Sequence, residues 1–280
     1  MLFRSNNIPE DEIGKMNGIM QTGMLLGRSI FGGAGVYLAY KFGLNMMIYF
    51  LISSIWISLI ILQKSPFDRT IEKISTKKYL LDFYLLVKKK SFWILLGITY
   101  FAGYSYNGIS TISSAVLSKL GATPLTHGLT YSLFLPISMS LGALIGGQLS
   151  DKFSATTILT RSLLLSILTS ILVGATIDFF PTITTLILSY ILFYFFIGTS
   201  TSTLYGFLMK NTSKEFAALE FSIFMGVVNL CDSSTSYLTG QLLIKFNYST
   251  SSLLIGLICV ISIMLLRFHD SKGANKKAAL

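Results

Sequence analysis

Arg28 and Asp232 are charged residues that lie near the centres of long apolar stretches. A charge at bilayer depth costs at least about 2.5–3.5 kcal/mol, so such residues tend to face a cavity and to serve a function. Asp232 is interpreted as a proton-coupling carboxylate, because desolvation favours the neutral form of a carboxyl group. Arg28 is interpreted as an anion-binding or gating arginine. For both residues the alternative is a permanent ion pair that only locks helices together.

Each of these charges shares a helical face with other polar residues, since positions three, four and seven apart lie on one side of a helix. Asn17 and Gln21 lie on the face of Arg28, and Asn229 lies on the face of Asp232. We expect Gln21 and Asn229 to line a substrate cavity.

Glu220 is a third candidate carboxylate, twelve residues before Asp232 and on a different face. It is interpreted either as a further proton-coupling residue or as a helix-end carboxylate at the membrane interface. Both readings stay open at this point.

Tyrosines form two further faces at helical spacing. Aromatic rings with hydroxyl groups suit a bulky, partly apolar solute that needs a few oriented hydrogen bonds. The alternative is helix packing or placement at the membrane interface, where tyrosines also gather. The residues of the two faces are Tyr100, Tyr104, Asn107 and Thr111 in one, and Tyr190, Tyr194, Thr201 and Tyr205 in the other.

The composition requires a membrane rather than water around these residues. Hydrophobic side chains make up 52% of the 280 residues and charged ones only 12%, about half the charged share of a soluble domain. This excludes a soluble enzyme and a disordered or collagen-like chain. Cys231 and Cys259 lie apart within apolar runs, and no hydrolase or metalloprotease motif occurs, so we expect no enzyme activity, no metal and no cofactor.

Hydropathy predicts an all-α integral membrane protein with about eight transmembrane helices, because apolar runs of about this length are what a bilayer about 30 Å thick selects. Pro136 lies inside the fourth span and predicts a kink there. The predicted spans are 16–40, 46–62, 92–116, 128–148, 156–177, 182–207, 216–243 and 252–266.

The basic residues orient the chain. The termini and the loops on their side carry 17 Lys and Arg residues, whereas the opposite side carries 3. Positive loops stay in the cytoplasm, so both termini are expected there, and the net charge of +10 indicates membrane topology rather than nucleic-acid binding.

An internal repeat relates the two ends of the chain. The segment GQLSDKF (147–153) recurs as GQLLIKF (240–246) and, more loosely, as VYLAYKF (36–42). When the chain is aligned with itself at the offset of 204 residues between the outer copies, Arg28 is also equivalent to Asp232. This indicates two related six-helix units. Separately, Gly23 and Gly27 form a Gly-x-x-x-Gly motif, which predicts close helix packing.

The segment GQLSDKFS (147–154), with Gly147, Asp151 and Lys152, resembles the cytoplasmic loop signature of the major facilitator superfamily. It departs from the family pattern after Phe153, where the usual glycine and basic residues are replaced. The resemblance implies that the spans correspond to family helices five to twelve and that the fold is a facilitator-type bundle. The segments NGIMQTG (17–23), GRSIFGG (27–33) and FAALEFS (216–222) look like the branch of muropeptide, siderophore and acetyl-coenzyme A permeases.

The resemblance implies four parts: 1–63 as the last two helices of an incomplete N-terminal bundle, 64–91 as the central cytoplasmic loop, 92–268 as a six-helix C-terminal bundle, and 269–280 as a cytoplasmic tail. Its implied function is alternating-access, proton-coupled symport of a small amphipathic metabolite in the bacterial inner membrane. The alternative is a truncated permease-like protein that acts only with a partner or as a scaffold. A missing N-terminal segment or a second copy would then complete the cavity.

Overall fold

The computed structural model describes residues 11–64, 76–212 and 217–278. The described chain is helical throughout, as predicted. Five of its helices are long and apolar enough to cross a membrane, while the number of crossings, about eight, stays a prediction. These five helices are Leu44–Lys64, Pro124–Lys152, Ala155–Phe179, Ile183–Asn211 and Tyr248–Asp270.

The N-terminal part forms a hairpin of two long helical segments. Helix α1 (Ile13–Gly27) continues through a π-helical segment, π1 (Arg28–Gly33), into α2 (Ala34–Phe42). Gly43 then turns the chain with a φ of +87°, a conformation that favours glycine. Helix α3 (Leu44–Lys64) packs against α2 and has no buried residue.

The predicted central loop 64–91 contains a helix, α4 (Thr76–Lys88), whereas residues 65–75 lie outside the described part of the chain. The C-terminal part comprises eight further α-helices and a second π-helical segment. The helices are α5 (Lys90–Ala102), α6 (Tyr104–Lys119), α7 (Pro124–Leu129), α8 (Leu135–Lys152), α9 (Ala155–Phe179), α10 (Ile183–Asn211), α11 (Ala217–Lys245) and α12 (Tyr248–Ala278), with π2 (Thr130–Phe134) between α7 and α8.

Gly103 interrupts the third predicted span and separates α5 from α6. A Cβ at Gly103 would lie 2.9 Å from the Sγ of Cys231, so the chain approaches α11 closely at the break.

Helix α8 lies between α1 and α10 and contacts both through glycines. A Cβ at Gly147 would lie 2.3 Å from the carbonyl oxygen of Gly14, and one at Gly142 would overlap the carbonyl oxygen of Phe195. Gly18 approaches the carbonyl oxygen of Ala143 in the same way. Small residues at these positions let the helix backbones touch.

The predicted glycine contact at Gly23 and Gly27 is wrong, since a Cβ at either position would meet nothing within 4 Å. The glycines of α1 that pack are Gly14 and Gly18, one and two turns nearer the N-terminus. The second correction concerns the signature segment. Asp151 and Lys152 belong to the last turn of α8 rather than to a loop, and Gly147 lies one turn earlier in the same helix.

Pro136 has no N–H group to donate to the carbonyl of Ser132, and the irregularity it causes takes the form of π2 directly before it. The freed Ser132 carbonyl accepts a hydrogen bond from the hydroxyl of Ser29 in π1. The two π-helical segments therefore contact each other and join α1 to α8 at the end opposite Gly14.

Candidate substrate cavity

A cavity of about 440 Å³ lies between the N-terminal hairpin and the C-terminal helices. Its volume falls in the range of small-molecule sites, about 300–1,000 Å³. The helices around it are α1 with π1, α5, α6, α8, α9, α10 and α11. Its lining residues are Gln21, Met24, Leu25, Arg28, Thr99, Ala102, Gly103, Tyr106, Asn107, Ser110, Met139, Leu163, Ile197, Ser200, Thr201, Leu204, Tyr205, Met225, Val228, Asn229, Cys231 and Asp232.

Arg28 and Asp232 both line this cavity and are both exposed to it. Exposure corrects the expectation that the carboxylate is buried. Within the part of the chain that the structure describes, neither Arg28 nor Asp232 is held in an ion pair. Tyr106 lies within electrostatic range of both charges. The cavity thus holds one cation and one anion that share a neighbour without pairing.

Three predicted amide side chains also lie on the cavity wall: Gln21, Asn107 and Asn229. Gln21 is only 3% exposed, and its Oε1 has no hydrogen-bond partner. Asn107 donates to the Sγ of Cys231 at 3.5 Å, which positions its amide beside α11. These groups give the wall donors and acceptors at fixed places.

Of the five tyrosines on the two predicted faces, Tyr205 lines the cavity, whereas Tyr100, Tyr104, Tyr190 and Tyr194 do not. Tyr100 donates to the Oγ of Ser234 at 2.9 Å, and Tyr104 donates to the hydroxyl of Tyr100 at 3.1 Å, so this pair joins the broken helix to α11. Tyr190 is fully buried in the core, and Tyr194 packs edge-on against Tyr106 with ring centroids 5.7 Å apart.

Glu220 is also away from the cavity. It lies in the first turn of α11 and is 5% exposed. A carboxylate at that position complements the positive end of the helix dipole.

Thr201 and Tyr205 of the second predicted tyrosine face line the cavity, and Tyr205 lies within electrostatic range of Arg28. Tyr106 is a cavity residue that the sequence reasoning did not select. Tyr106 follows Gly103 by three positions and precedes Ser110 by four, so the small residues on its face are the signal that could have found it.

The helices pack closely at the N-terminal end of α1, before the cavity residue Gln21. There Gly14 and Gly147 bring the backbones of α1 and α8 together, and Asn17 is fully buried, donating to the Sδ of Met209 in α10 at 3.2 Å. Asp151 accepts hydrogen bonds from the backbone N–H groups of Gly14 and Lys15. These contacts join α1 to α8 and α10 on the N-terminal side of Gln21.

The family model described as Major Facilitator Superfamily matches residues 3–231 and, in a second match, residues 95–279. The chain belongs to the major facilitator superfamily. The two matches overlap over residues 95–231. No curated protein matches this sequence significantly.

Superfamily membership identifies the chain as a membrane transporter by family, and the superfamily consists of transporters rather than enzymes. Within the part of the chain that the structure describes, no group of three or more His, Cys, Asp and Glu residues is arranged to hold a metal ion. The charged residues on the wall of the cavity are Arg28 and Asp232.

Proposed function

We propose that this superfamily member is a proton-coupled symporter of a small amphipathic metabolite, such as a muropeptide or a siderophore, in the bacterial inner membrane. The observation that carries the proposal is the cavity of about 440 Å³ with Arg28 and Asp232 on its wall and neither in an ion pair among the described residues. Unpaired charges inside a membrane protein are expensive unless they bind something.

Alternating access requires a cavity that is closed toward one side of the membrane at a time. In this proposal the contacts of Gly14, Asn17 and Asp151 close the cavity at the N-terminal end of α1. With the N-terminus in the cytoplasm, as the charge distribution predicts, this conformation is the one closed to the cytoplasm. Opening it separates α1 from α8 and α10.

Asp232 is proposed to carry the coupled proton. Its carboxylate faces the cavity on α11, and binding a proton removes the charge before the cavity closes around the substrate. Arg28 supports the same cycle from π1 by holding an anionic group. Glu220 in this proposal acts at the helix end and not at the cavity.

The test uses the full chain in proteoliposomes that contain a pH-sensitive dye, with muramyl dipeptide as the probe. We expect inward muramyl dipeptide gradients to acidify the lumen, and Asp232→Asn to abolish this acidification while probe-for-probe exchange continues. Asp270→Asn is the matched control, because Asp270 is an exposed carboxylate in the C-terminal part of α12 and does not line the cavity. Acidification that survives in Asp232→Asn would contradict the assignment of the proton to this residue.

A second candidate function is a permease-like protein that acts only with a partner or as a scaffold. Helix α3 buries none of its residues, and α1 exposes Met16 and Met20, which do not line the cavity. These surfaces offer room for further helices. If the reconstituted chain takes up no probe alone but does so after co-expression with a second membrane protein or in a cross-linked dimer, this second function replaces the first.

A further inference from the structure

The charges of the cavity restrict the kind of solute that fits it. Arg28 contributes one positive charge and Asp232 one negative charge, so the cavity without a solute is neutral in sum. A net charge enclosed among apolar helices is strongly unfavourable. A solute that enters with a single negative charge keeps the sum at zero only when a proton enters with it.

Gln21 adds a second restriction. Its Oε1 is buried and has no partner, and an acceptor in this position costs about 1–3 kcal/mol when nothing donates to it. Gln21 and Arg28 are seven residues apart on one face of α1, which corresponds to about 10 Å along the helix axis. Because Oε1 is covered in this conformation, an N–H or O–H group of a solute would pair with it once the Gln21 side chain turns toward the cavity, at a distance from the group that Arg28 holds.

Part of the cavity wall is apolar. Met24 and Leu25, which lie between Gln21 and Arg28 in sequence, line it from α1, and Met139 of α8 and Met225 of α11 also line it. Methionine side chains adapt to apolar groups of varied shape. The cavity therefore favours a solute whose anionic end and donor end are joined by an apolar body.

We infer that the substrate is an amphipathic monoanion: Arg28 binds its anionic group, Gln21 accepts a hydrogen bond from its donor, and Asp232 takes up one proton per molecule bound. This inference rests on the proposed symport and specifies its substrate class and stoichiometry. Transport is then electroneutral, driven by the pH gradient and insensitive to the membrane potential.

The test is a charge series on one skeleton, measured by calorimetry on the purified full chain. The probes are acetyl-glycyl-phenylalanine, which is a monoanion, its neutral C-terminal amide, the zwitterion glycyl-phenylalanine and the cation glycyl-phenylalanine amide. We expect the monoanion to bind at least about tenfold more tightly than the others, since a charge-assisted bond to arginine is lost in the amide. Titrations in buffers of different ionisation enthalpy should give proton uptake on binding.

Variants assign the roles. Arg28→Gln should remove the preference for the monoanion, with Arg161→Gln, an exposed arginine of α9, as the matched control. Asp232→Asn should keep the preference and lose the proton uptake. Gln21→Leu should weaken the binding of the monoanion and of its neutral amide by the same factor, because both probes keep their N–H donors.

Each other result overturns the inference. Equal binding of the neutral amide, binding of none of the four probes, or an unchanged preference in Arg28→Gln would do so. If the charge-swapped double variant R28D/D232R recovered full binding of the monoanion, the two residues would be assigned to a structural ion pair instead. Proton-driven uptake of the zwitterion or the cation in proteoliposomes would support the proposed symport but contradict a monoanionic substrate. Binding of the monoanion without uptake of any probe would support the assigned substrate class but contradict the proposed symport.

Discussion

Asp151 at the end of α8 caps the first turn of α1: its Oδ1 accepts a hydrogen bond from the backbone N–H of Gly14 at 2.8 Å, across 137 positions of sequence. Its Oδ2 accepts from the N–H of Lys15 at 2.6 Å, and Lys210 of α10 lies 3.4 Å from Oδ1. The first N–H groups of a helix have no partner within the helix. One carboxylate therefore joins three helices at the N-terminal end of α1.

Removing this carboxylate should destabilise the protein more than removing the lysine. Asp151→Ala leaves two N–H groups without a charged acceptor, and a hydrogen bond to a charged group contributes about 1.5–3 kcal/mol. Lys210→Ala removes only a partly exposed ion pair, which contributes at most about 1 kcal/mol. Thermal unfolding of both variants in the same detergent, followed by tryptophan fluorescence, checks the order. Equal shifts in the midpoint would contradict the capping role.

A methyl group at Gly14 should separate α1 from α8. The added Cβ would overlap the side chain of Ser150 and the carbonyl oxygen of Gly147, and overpacking of this kind costs about 1–3 kcal/mol. Gly23→Ala is the matched control on the same helix, because its Cβ meets nothing within 4 Å and alanine favours a helix by up to about 1 kcal/mol. We expect Gly14→Ala to lower the unfolding temperature and Gly23→Ala to leave it unchanged or raise it. The opposite order would show that α1 does not pack on α8 through Gly14.

The contribution of Ser29 should depend on Pro136. The Ser29 hydroxyl donates to the Ser132 carbonyl, whose usual helical donor is missing because of the proline. Ser29→Ala should therefore cost about 1 kcal/mol in the natural sequence. In a Pro136→Ala background the new N–H at position 136 can serve that carbonyl, so the same substitution should cost less. A double-mutant cycle of unfolding free energies measures the difference, and strict additivity would rule out this coupling.

Tyr100 should contribute to stability and not to substrate affinity. Its hydroxyl donates to Ser234 and accepts from Tyr104, so Tyr100→Phe breaks two hydrogen bonds between the helices. Tyr104→Phe breaks one, and should lower the unfolding temperature less. For both variants we expect an unchanged KM for muramyl dipeptide, measured in the same proteoliposomes. A raised KM at an unchanged unfolding temperature would instead place these tyrosines in the substrate path.

Periodicity located the polar face of α1 and that of α11. Gln21 and Arg28, like Asn229 and Asp232, lie within uninterrupted stretches of helical hydrogen bonding or directly beside them, where positions three, four and seven apart stay on one face. Tyr100 and Tyr104 also share a face, with their hydroxyl groups 3.1 Å apart, but Tyr100 packs against Ser234 of α11 instead of lining the cavity. Spacing predicts which residues share a face and does not predict what that face contacts.

The sequence by itself determined that the chain lies in a membrane, that its fold is helical and which family it belongs to. These follow from apolar runs of sufficient length and from a local signature, and neither depends on which helices are neighbours. Only the tertiary structure decided that Gly14 rather than Gly23 contacts α8, that Asp151 caps α1, and that Glu220 is buried away from the cavity. Each of these depends on how closely two distant backbones approach, and that distance is set by the packing of all the helices together.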